Sequence, residues 1–203
     1  MKIAIYIEGG GDTADQKATL RQGFERLFKE IRDRARAKNL GPKLVLCGKR
    51  QDAFEAFRNA CKHQPGNINI LLVDSESPVD GGASTFLKSR DSWDLAFANE
   101  DQIHLMVQLM ETWLLADEDA LAKYYGQHFA SNALPKGLDL ETVPKSTVAS
   151  SLHKATAKTS KGQYHKIRHA SALLAEVDPK RVRQRCSHCD RFFVVALQLI
   201  EKA

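Results

Sequence analysis

The sequence predicts an α/β protein with a Rossmann-type parallel sheet of about four strands, helices on both faces of the sheet and a helical C-terminal part. Strand-like and helix-like segments alternate over roughly the first 75 residues, which is typical of right-handed crossover connections. The predicted strands are continuous apolar runs, as expected for strands covered on both faces. We therefore expect an α/β domain over residues 1–125 and a basic helical region over 126–203 that packs on the same domain.

The first strand is predicted over residues 3–7, which are apolar or aromatic and contain no turn residue. Glu8 and three glycines follow it. Apolar residues at spacings of three and four between Leu20 and Ala35 predict one amphipathic helix. Thr13 is the expected N-cap of this helix, with Gln16 as its capping-box partner. The helix is expected to end before Pro42.

The other elements follow from the same two periodicities. Strands are predicted at 43–48, 67–77 and 104–110, with a helix between the first two of these. Residues 77–102 are predicted to be a loop, with a short helix around Trp93. A helix is expected from 111 to 125 and irregular chain from 126 to 147. Further helices are predicted near 147–159, 163–176 and 190–202.

Composition and charge indicate a soluble protein with a polyanionic partner. The 203 residues are 43% hydrophobic and 27% charged, and no apolar run reaches the length of a membrane span. Because the chain enters a strand at once, we expect a cytoplasmic location. The net charge is +5, and residues 145–191 hold eleven Lys or Arg against three acids. This basic region favours nucleic acid as a partner; a solvated basic face without a partner is the alternative.

Acidic residues follow three of the four predicted strands. Glu8 ends the first strand, Asp74 and Glu76 end the third, and Glu111 follows the fourth. The carboxyl ends of parallel strands meet at one edge of the sheet, where ligands bind. If the third strand stays extended, Asp74 and Glu76 point the same way and share a cation. Carboxylate oxygens are preferred by Mg²⁺ or Mn²⁺; solvent-facing acids that cap helices are the alternative.

The glycines after Glu8 do not match a known phosphate-binding loop. A P-loop closes with Lys and Ser or Thr, and residues 9–15 contain neither a lysine nor that pair. A dinucleotide fingerprint has no acid at the strand exit. Bare carboxylates repel phosphate, whereas carboxylates that hold a divalent cation attract it. A metal site for phosphate chemistry is therefore the better interpretation of this stretch.

The segments IYIEGGGD, LLVDSES, VQLMETWLLAD and YHKIRHASALL carry a resemblance to a known family. The Glu-Gly pair after the first strand and the acidic pair after the third resemble the Toprim domain. Topoisomerases, bacterial primases, recombination-repair proteins and the overcoming-lysogenization-defect nucleases share that domain. Together the four segments, which span nearly the whole chain, are similar to a family of uncharacterised bacterial Toprim-like proteins often found near ATPases linked to phage defence.

The resemblance implies roles for individual residues. Glu8 matches the Toprim glutamate, a metal ligand or general acid/base, and Asp74 matches the first aspartate of the pair, a metal ligand. Glu76 replaces the usual second aspartate with a longer carboxylate. Glu111 is a further candidate ligand, and Asp117 in the same motif is expected to be structural.

Basic and sulfur-containing residues supply the remaining candidates. Lys166 is a candidate cationic group beside a developing phosphate charge, or a surface lysine. Tyr164 raises the idea of a tyrosine nucleophile, which the absence of DNA-gating domains disfavours. Candidate nucleic-acid contacts are Lys161, Lys166, Arg168, Lys180, Arg181, Arg183 and Arg185. Cys186 and Cys189 with His165 and His169 have zinc-ligand types and spacings; reduced thiols in a packed helical hairpin are the favoured alternative.

These features predict a Toprim-like, Mg²⁺- or Mn²⁺-dependent nuclease that cleaves DNA or RNA, with a role in phage defence beside an ATPase partner. Fold alone does not fix activity. Two alternatives remain: a non-catalytic subunit that docks on an ATPase, and a phosphohydrolase that acts on small nucleotides. An enclosed pocket in place of an open basic groove would favour the second alternative.

Overall fold

The computed structural model describes residues 1–203 and contains one sheet of four parallel strands. The strands are β1 (Lys2–Glu8), β2 (Gly41–Gly48), β3 (Ile68–Asp74) and β4 (Ile103–Met106), in the spatial order β2-β1-β3-β4. The predicted α/β class is confirmed. Because β1 and β3 are the central strands, the residues that follow them lie in the middle of the carboxyl edge.

Four helices connect the strands: α1 (Ala14–Leu27), α2 (Lys29–Ala37), α3 (Arg50–His63) and α4 (Ala83–Asp91). Thr13 caps α1 with the predicted capping box to Gln16. The single helix predicted up to Ala35 is broken at Phe28. Phe28 is fully buried there and packs against Trp113 and Phe192, so tertiary packing overrides the continuous periodicity.

Six helices follow the sheet: α5 (Met110–Leu115), α6 (Glu118–Tyr125), α7 (Lys145–Thr156), α8 (Lys166–Glu176), α9 (Pro179–Arg185) and α10 (Ser187–Glu201). The helix predicted over 111–125 is two helices, because Asp117 caps α6. Between the helices predicted near 163–176 and 190–202 the structure has one further helix, α9, which Asp178 caps. No helix has both the length and the apolar character that crossing a bilayer requires.

Two hydrophobic cores cover the two faces of the sheet. The larger core joins Ile3, Ile5 and Ile7 of β1 to α1, α2, α5, α8 and α10. The smaller core joins the opposite face of β1 to α3 and α4. Within the larger core α1 and α8 lie very close, since a Cβ on Gly23 would come within 2.5 Å of the Ser171 carbonyl oxygen. The larger core therefore holds α8 against the helix that follows the glycines.

Candidate active site at the carboxyl edge

Glu8 lies at the end of the central strand β1, where the glycines turn the chain into α1. Gly9, Gly10 and Gly11 have φ values of 118°, 96° and 67°, which favour glycine. The Glu8 carboxylate accepts hydrogen bonds from the Asp74 amide at 3.1 Å and from Arg50 at 3.2 Å. Burial raises the pKa of Glu8, and the nearby Arg50 charge opposes part of that rise. The side chain is thus fixed against the end of β3.

Asp74, the last residue of β3, is buried with only 5% of its surface exposed. Its Oδ1 accepts the Met110 amide at 2.7 Å, and its Oδ2 lies 3.7 Å from the Nζ of Lys166. Burial raises the pKa of Asp74 to about 7; the Lys166 charge opposes this rise, and the Glu8 and Glu111 carboxylates add to it. Asp74 is therefore a buried carboxyl poised to change charge near neutral pH.

Glu111 supplies a third carboxylate, from the helix predicted to begin there. The strand β4 ends at Met106, so Glu111 lies in the first turn of α5 and not at a strand exit. Its Oε1 accepts the Tyr164 hydroxyl at 3.1 Å, and its Oε2 lies 3.4 Å from Lys166 Nζ. Burial, followed by the Glu111 charge, raises the pKa of Tyr164. This phenol is a hydrogen-bond donor to Glu111.

Lys166 begins α8 and carries the cation between two of the acids. Its Nζ lies within 4 Å of both Asp74 and Glu111, while 41% of its side chain remains exposed. Burial acts to lower the pKa of Lys166, but the Asp74 and Glu111 charges outweigh it and the pKa is raised. The predicted catalytic lysine thus meets two of the predicted acids at one point.

Arg50 is a site residue that the sequence reading missed. It begins α3, directly after β2, and donates to Glu8, to the backbone carbonyl of Asp74 and in a two-fold contact to Asp91 at 3.0 and 2.8 Å. Its guanidinium also lies over the Trp93 ring. The available signal was its position, since the first residues after each strand of a parallel sheet face the same edge.

Glu76 does not share the orientation that an extended strand would give it. β3 ends at Asp74, and Glu76 has a left-handed φ of 56°, so the expectation that Asp74 and Glu76 alternate along one strand is wrong. Glu76 pairs with Arg90 at 2.6 Å and lies 3.9 Å from Lys145. The chain leaves the sheet one residue too early for the two carboxylates to point the same way.

The residues present fit a hard divalent cation by the chemistry of their donors. Glu8, Asp74 and Glu111 offer carboxylate oxygens, the ligand type of Mg²⁺ and Mn²⁺. No three His, Cys, Asp or Glu side chains are already arranged around one point as a metal centre. The Lys166 ammonium lies between Asp74 and Glu111, so these two acids already share one cation. This shared contact is the observation on which the fit rests.

Most of the predicted nucleic-acid contacts after residue 160 bond within the protein. Arg181 pairs with Asp117 and Asp119. Arg183 pairs with Asp190, and Arg185 donates to backbone carbonyls of the α5 end. The side chains that stay exposed without an ion pair are those of Lys161, Arg168 and Lys180. The basic charge of α9 thus serves to hold helices together.

The two cysteines and two histidines with zinc-like spacings lie in different surroundings. Cys186 and Cys189 are free thiols buried in the larger core, and burial raises the pKa of both. His169 packs against Tyr125, and its Nδ1 accepts the His165 amide at 2.9 Å. No three of these four side chains meet at one point.

A cavity of about 300 Å³ opens beside Glu111 and Lys166. Its other lining residues are Leu109, Ala149, His153, Tyr164 and His165. A second cavity of about 150 Å³ lies on the other side of Lys166, against Gly9, Gly10 and Gly11. Lys166 therefore lies at the junction of two cavities beside the acids.

Comparison with known proteins gives one match. A family model for a domain of unknown function, DUF4276, matches residues 7–195. The matched range includes the three carboxylates and Lys166. No curated protein and no solved structure matches the chain.

Proposed function

The chain belongs to the DUF4276 family, a domain of unknown function, and we propose that it is a metal-dependent phosphodiesterase that cleaves nucleic acid. One observation carries this proposal. The Asp74 and Glu111 carboxylates, from two separate segments, both lie within 4 Å of the Lys166 ammonium at the carboxyl edge of a parallel sheet, and Glu8 accepts the Asp74 amide beside them. Acids with a shared cation at this edge suit a phosphate group, because the cation offsets their charge.

Mg²⁺ or Mn²⁺ would be held by Asp74 with Glu8 and Glu111. When bound, such an ion neutralises charge on the phosphate oxygens and favours the attack of water. Asp74 is suited to the central place because the charges of both Glu8 and Glu111 act on it. Its hydrogen bond to the Met110 amide fixes one oxygen and leaves the second turned toward Lys166.

Glu8 is the proposed proton acceptor for the attacking water. Its raised pKa brings it closer to neutral pH, where a general base works best. Arg50 and the Asp74 amide hold its carboxylate in place. The accepted proton therefore moves to a group whose position is set before the substrate arrives.

Lys166 is the proposed cationic group for the charge that develops on the phosphate. Its ammonium is exposed enough to reach a substrate, and its raised pKa keeps it protonated. Tyr164 acts through Glu111 as a positioning residue. The resemblance of Glu8 and Asp74 to the Toprim pattern supports the same assignment.

A phosphohydrolase that acts on small nucleotides is the second candidate function. The cavity of about 300 Å³ beside Glu111 favours it, because that volume is at the lower end of small-molecule sites. His153 and His165 in its lining are suited to contact a phosphate. Substrate size therefore separates the two candidates.

The decisive experiment measures cleavage and metal binding together. Supercoiled plasmid, single-stranded DNA, RNA and nucleoside triphosphates are incubated with purified protein in Mg²⁺, Mn²⁺ or EDTA. Mn²⁺ binding is measured separately by electron paramagnetic resonance. The Glu8→Gln, Asp74→Asn variant is compared with Glu55→Gln, Asp80→Asn, which makes the same chemical changes at two exposed positions.

We expect metal-dependent cleavage of nucleic acid by the wild type and the control, and none by the site variant. Mn²⁺ binding is expected to follow the same pattern. Hydrolysis of triphosphates alone would favour the second candidate. Mn²⁺ binding without cleavage of any substrate would favour a non-catalytic subunit. Absence of Mn²⁺ binding by the wild type would contradict the proposed site.

A further inference from the structure

A second basic surface lies between α1–α2 and α8, and Arg168 is the one predicted nucleic-acid contact that it contains. It is an open groove of about 660 Å³, which we call the α1–α8 groove. Its basic lining residues are Arg26, Lys29, Arg32, Arg36 and Arg168. Glu25 and Asp33 are its acidic lining residues, so the groove carries a net positive charge.

Two of the five cations are free to bind an external anion. Lys29 and Arg36 pair with Asp33, and Arg32 pairs with Glu25. Arg26 on α1 and Arg168 on α8 are exposed and make no ion pair. Each wall of the groove therefore contributes one unpaired guanidinium, the group best suited to phosphate oxygens.

The α1–α8 groove is linked to the candidate active site through shared lining residues. It shares Ser171 with the cavity of about 150 Å³ lined by the three glycines. That cavity shares Lys166 with the cavity beside Glu111. A ligand that follows α8 from Arg168 toward its first residue thus arrives at the lysine that contacts Asp74.

We infer that the α1–α8 groove holds the phosphate backbone of a single-stranded nucleic acid on its way to Lys166. The inference deepens the proposed function and rests on it for the position of the cleaved bond. The lining contains no aromatic side chain, so bases have no stacking surface there and the contacts are to phosphates. Its volume is in the range of small-molecule sites, which suits a few nucleotides of one strand and not a duplex.

The test compares two double variants in a binding assay that does not depend on cleavage. Arg26→Gln, Arg168→Gln removes the two free groove charges. Lys62→Gln, Lys88→Gln removes two exposed charges from α3 and α4, on the opposite face of the sheet. Fluorescence anisotropy of a labelled 20-nucleotide single strand is measured in EDTA from 50 to 300 mM NaCl, with a duplex of the same sequence as a second probe.

Each phosphate contact on a single strand contributes about 0.7 to the slope of log affinity against log salt. The groove variant is therefore expected to lower this slope by about 1.4 and to weaken binding on the order of tenfold at 0.1 M salt. The control variant is expected to match the wild type. Equal slopes in both variants, tighter binding of the duplex, or no binding of the single strand by the wild type would each overturn the inference.

The proposed chemistry is judged separately, on a substrate too small to need the groove. Hydrolysis of bis(p-nitrophenyl) phosphate with Mn²⁺ is expected to be unchanged in the groove variant and lost in Asp74→Asn. A groove that fails the binding test while this hydrolysis persists would leave the proposed function standing. Binding through the groove without hydrolysis would overturn the proposed function, while the inference that the groove binds single-stranded nucleic acid would stand.

Discussion

The two halves of the acidic edge hold their carboxylates with different cations. On the α3–α4 side, Arg50 and Arg90 clamp Glu8, Glu76 and Asp91 in a connected network of ion pairs. On the α8 side, one partly exposed ammonium, that of Lys166, serves both Asp74 and Glu111. A guanidinium fork fixes geometry through paired contacts, whereas an ammonium is a point charge on a flexible stem. We conclude that the arginine half supports the site and the lysine half is the part that can respond to a ligand.

The largest effect is expected from breaking the arginine half. Arg50→Met leaves Glu8 without its paired cation while that carboxylate remains about five-sixths buried, and it leaves Asp91 with Arg90 alone. Removal of one partner of a buried ion pair costs about 3–5 kcal/mol, so the free energy of unfolding in urea is expected to fall by that amount. Arg58→Met on the same helix is the control, with a change below about 1 kcal/mol. A decrease below about 1 kcal/mol for Arg50→Met would show that the ion pairs of Arg50 do not stabilise the fold.

The lysine half is expected to respond more in rate than in stability. Lys166→Met removes the cation proposed to meet the developing phosphate charge, and kcat for diester hydrolysis is expected to fall about 10²–10³-fold. The free energy of unfolding is expected to fall by less than in Arg50→Met, because the ammonium is partly exposed and Asp74, with its raised pKa, can take up a proton when the cation is lost. Lys158→Met, at an exposed lysine without an ion pair, is the matched control. A decrease in kcat of less than tenfold would show that Lys166 does not take part in the chemical step.

Tyr164 tests whether the lysine half also positions a metal ligand. Tyr164→Phe removes the hydroxyl that donates to Glu111. Loss of such a partner of a metal ligand typically weakens metal binding about 10–100-fold, and the Mn²⁺ dissociation constant is expected to rise within that range. Tyr124→Phe serves as the control, since its hydroxyl makes no hydrogen bond to Glu111. Unchanged Mn²⁺ binding in Tyr164→Phe would argue against Glu111 as a ligand.

The smallest expected effect is a pH-dependent change in stability at Asp74. Its pKa in the folded protein, about 7, lies above the usual value, so folding favours the protonated form. The stability that this proton contributes is lost as the pH rises toward 7. Asn cannot ionise, so the melting temperature of Asp74→Asn in EDTA is expected to rise relative to wild type between pH 5 and 8, by about 2–4 °C per kcal/mol. For the control Asp80→Asn, the difference in melting temperature from wild type is expected not to change with pH. The same result for Asp74→Asn would contradict the raised pKa of Asp74.

Much of the framework was predictable from the sequence. Glu8 and Asp74 follow apolar strands, and the parallel arrangement brings these strand ends to one edge whatever the details of packing. Thr13 and Gln16 predicted the start of α1 for a local reason, since a capping box needs only four residues. Asp178 and Pro179 carried an equally local signal for the start of α9, which the sequence reading did not use.

The features that escaped prediction depend on tertiary structure. Glu76 is turned away from Asp74 because its backbone has a left-handed φ. No glycine at that position signals this conformation in the sequence. Arg50 reaches Glu8 across 42 positions of sequence. The α1–α8 groove was not predicted because its two unpaired arginines, Arg26 and Arg168, lie far apart in the sequence and line one groove only in the folded chain. Counting charge along the chain favoured α9, where folding pairs the charges internally.

The close contact between Gly23 and Ser171 has a consequence for how the protein tolerates substitution. The backbone of Ser171 lies directly against Gly23, which has no side chain. The packing of α8 on α1 therefore does not depend on the identity of exposed residues. Lys166 lies five positions before Ser171, about 7.5 Å along the same helix. Substitutions at the exposed residues of the groove are therefore expected to leave the lysine in its place beside Asp74.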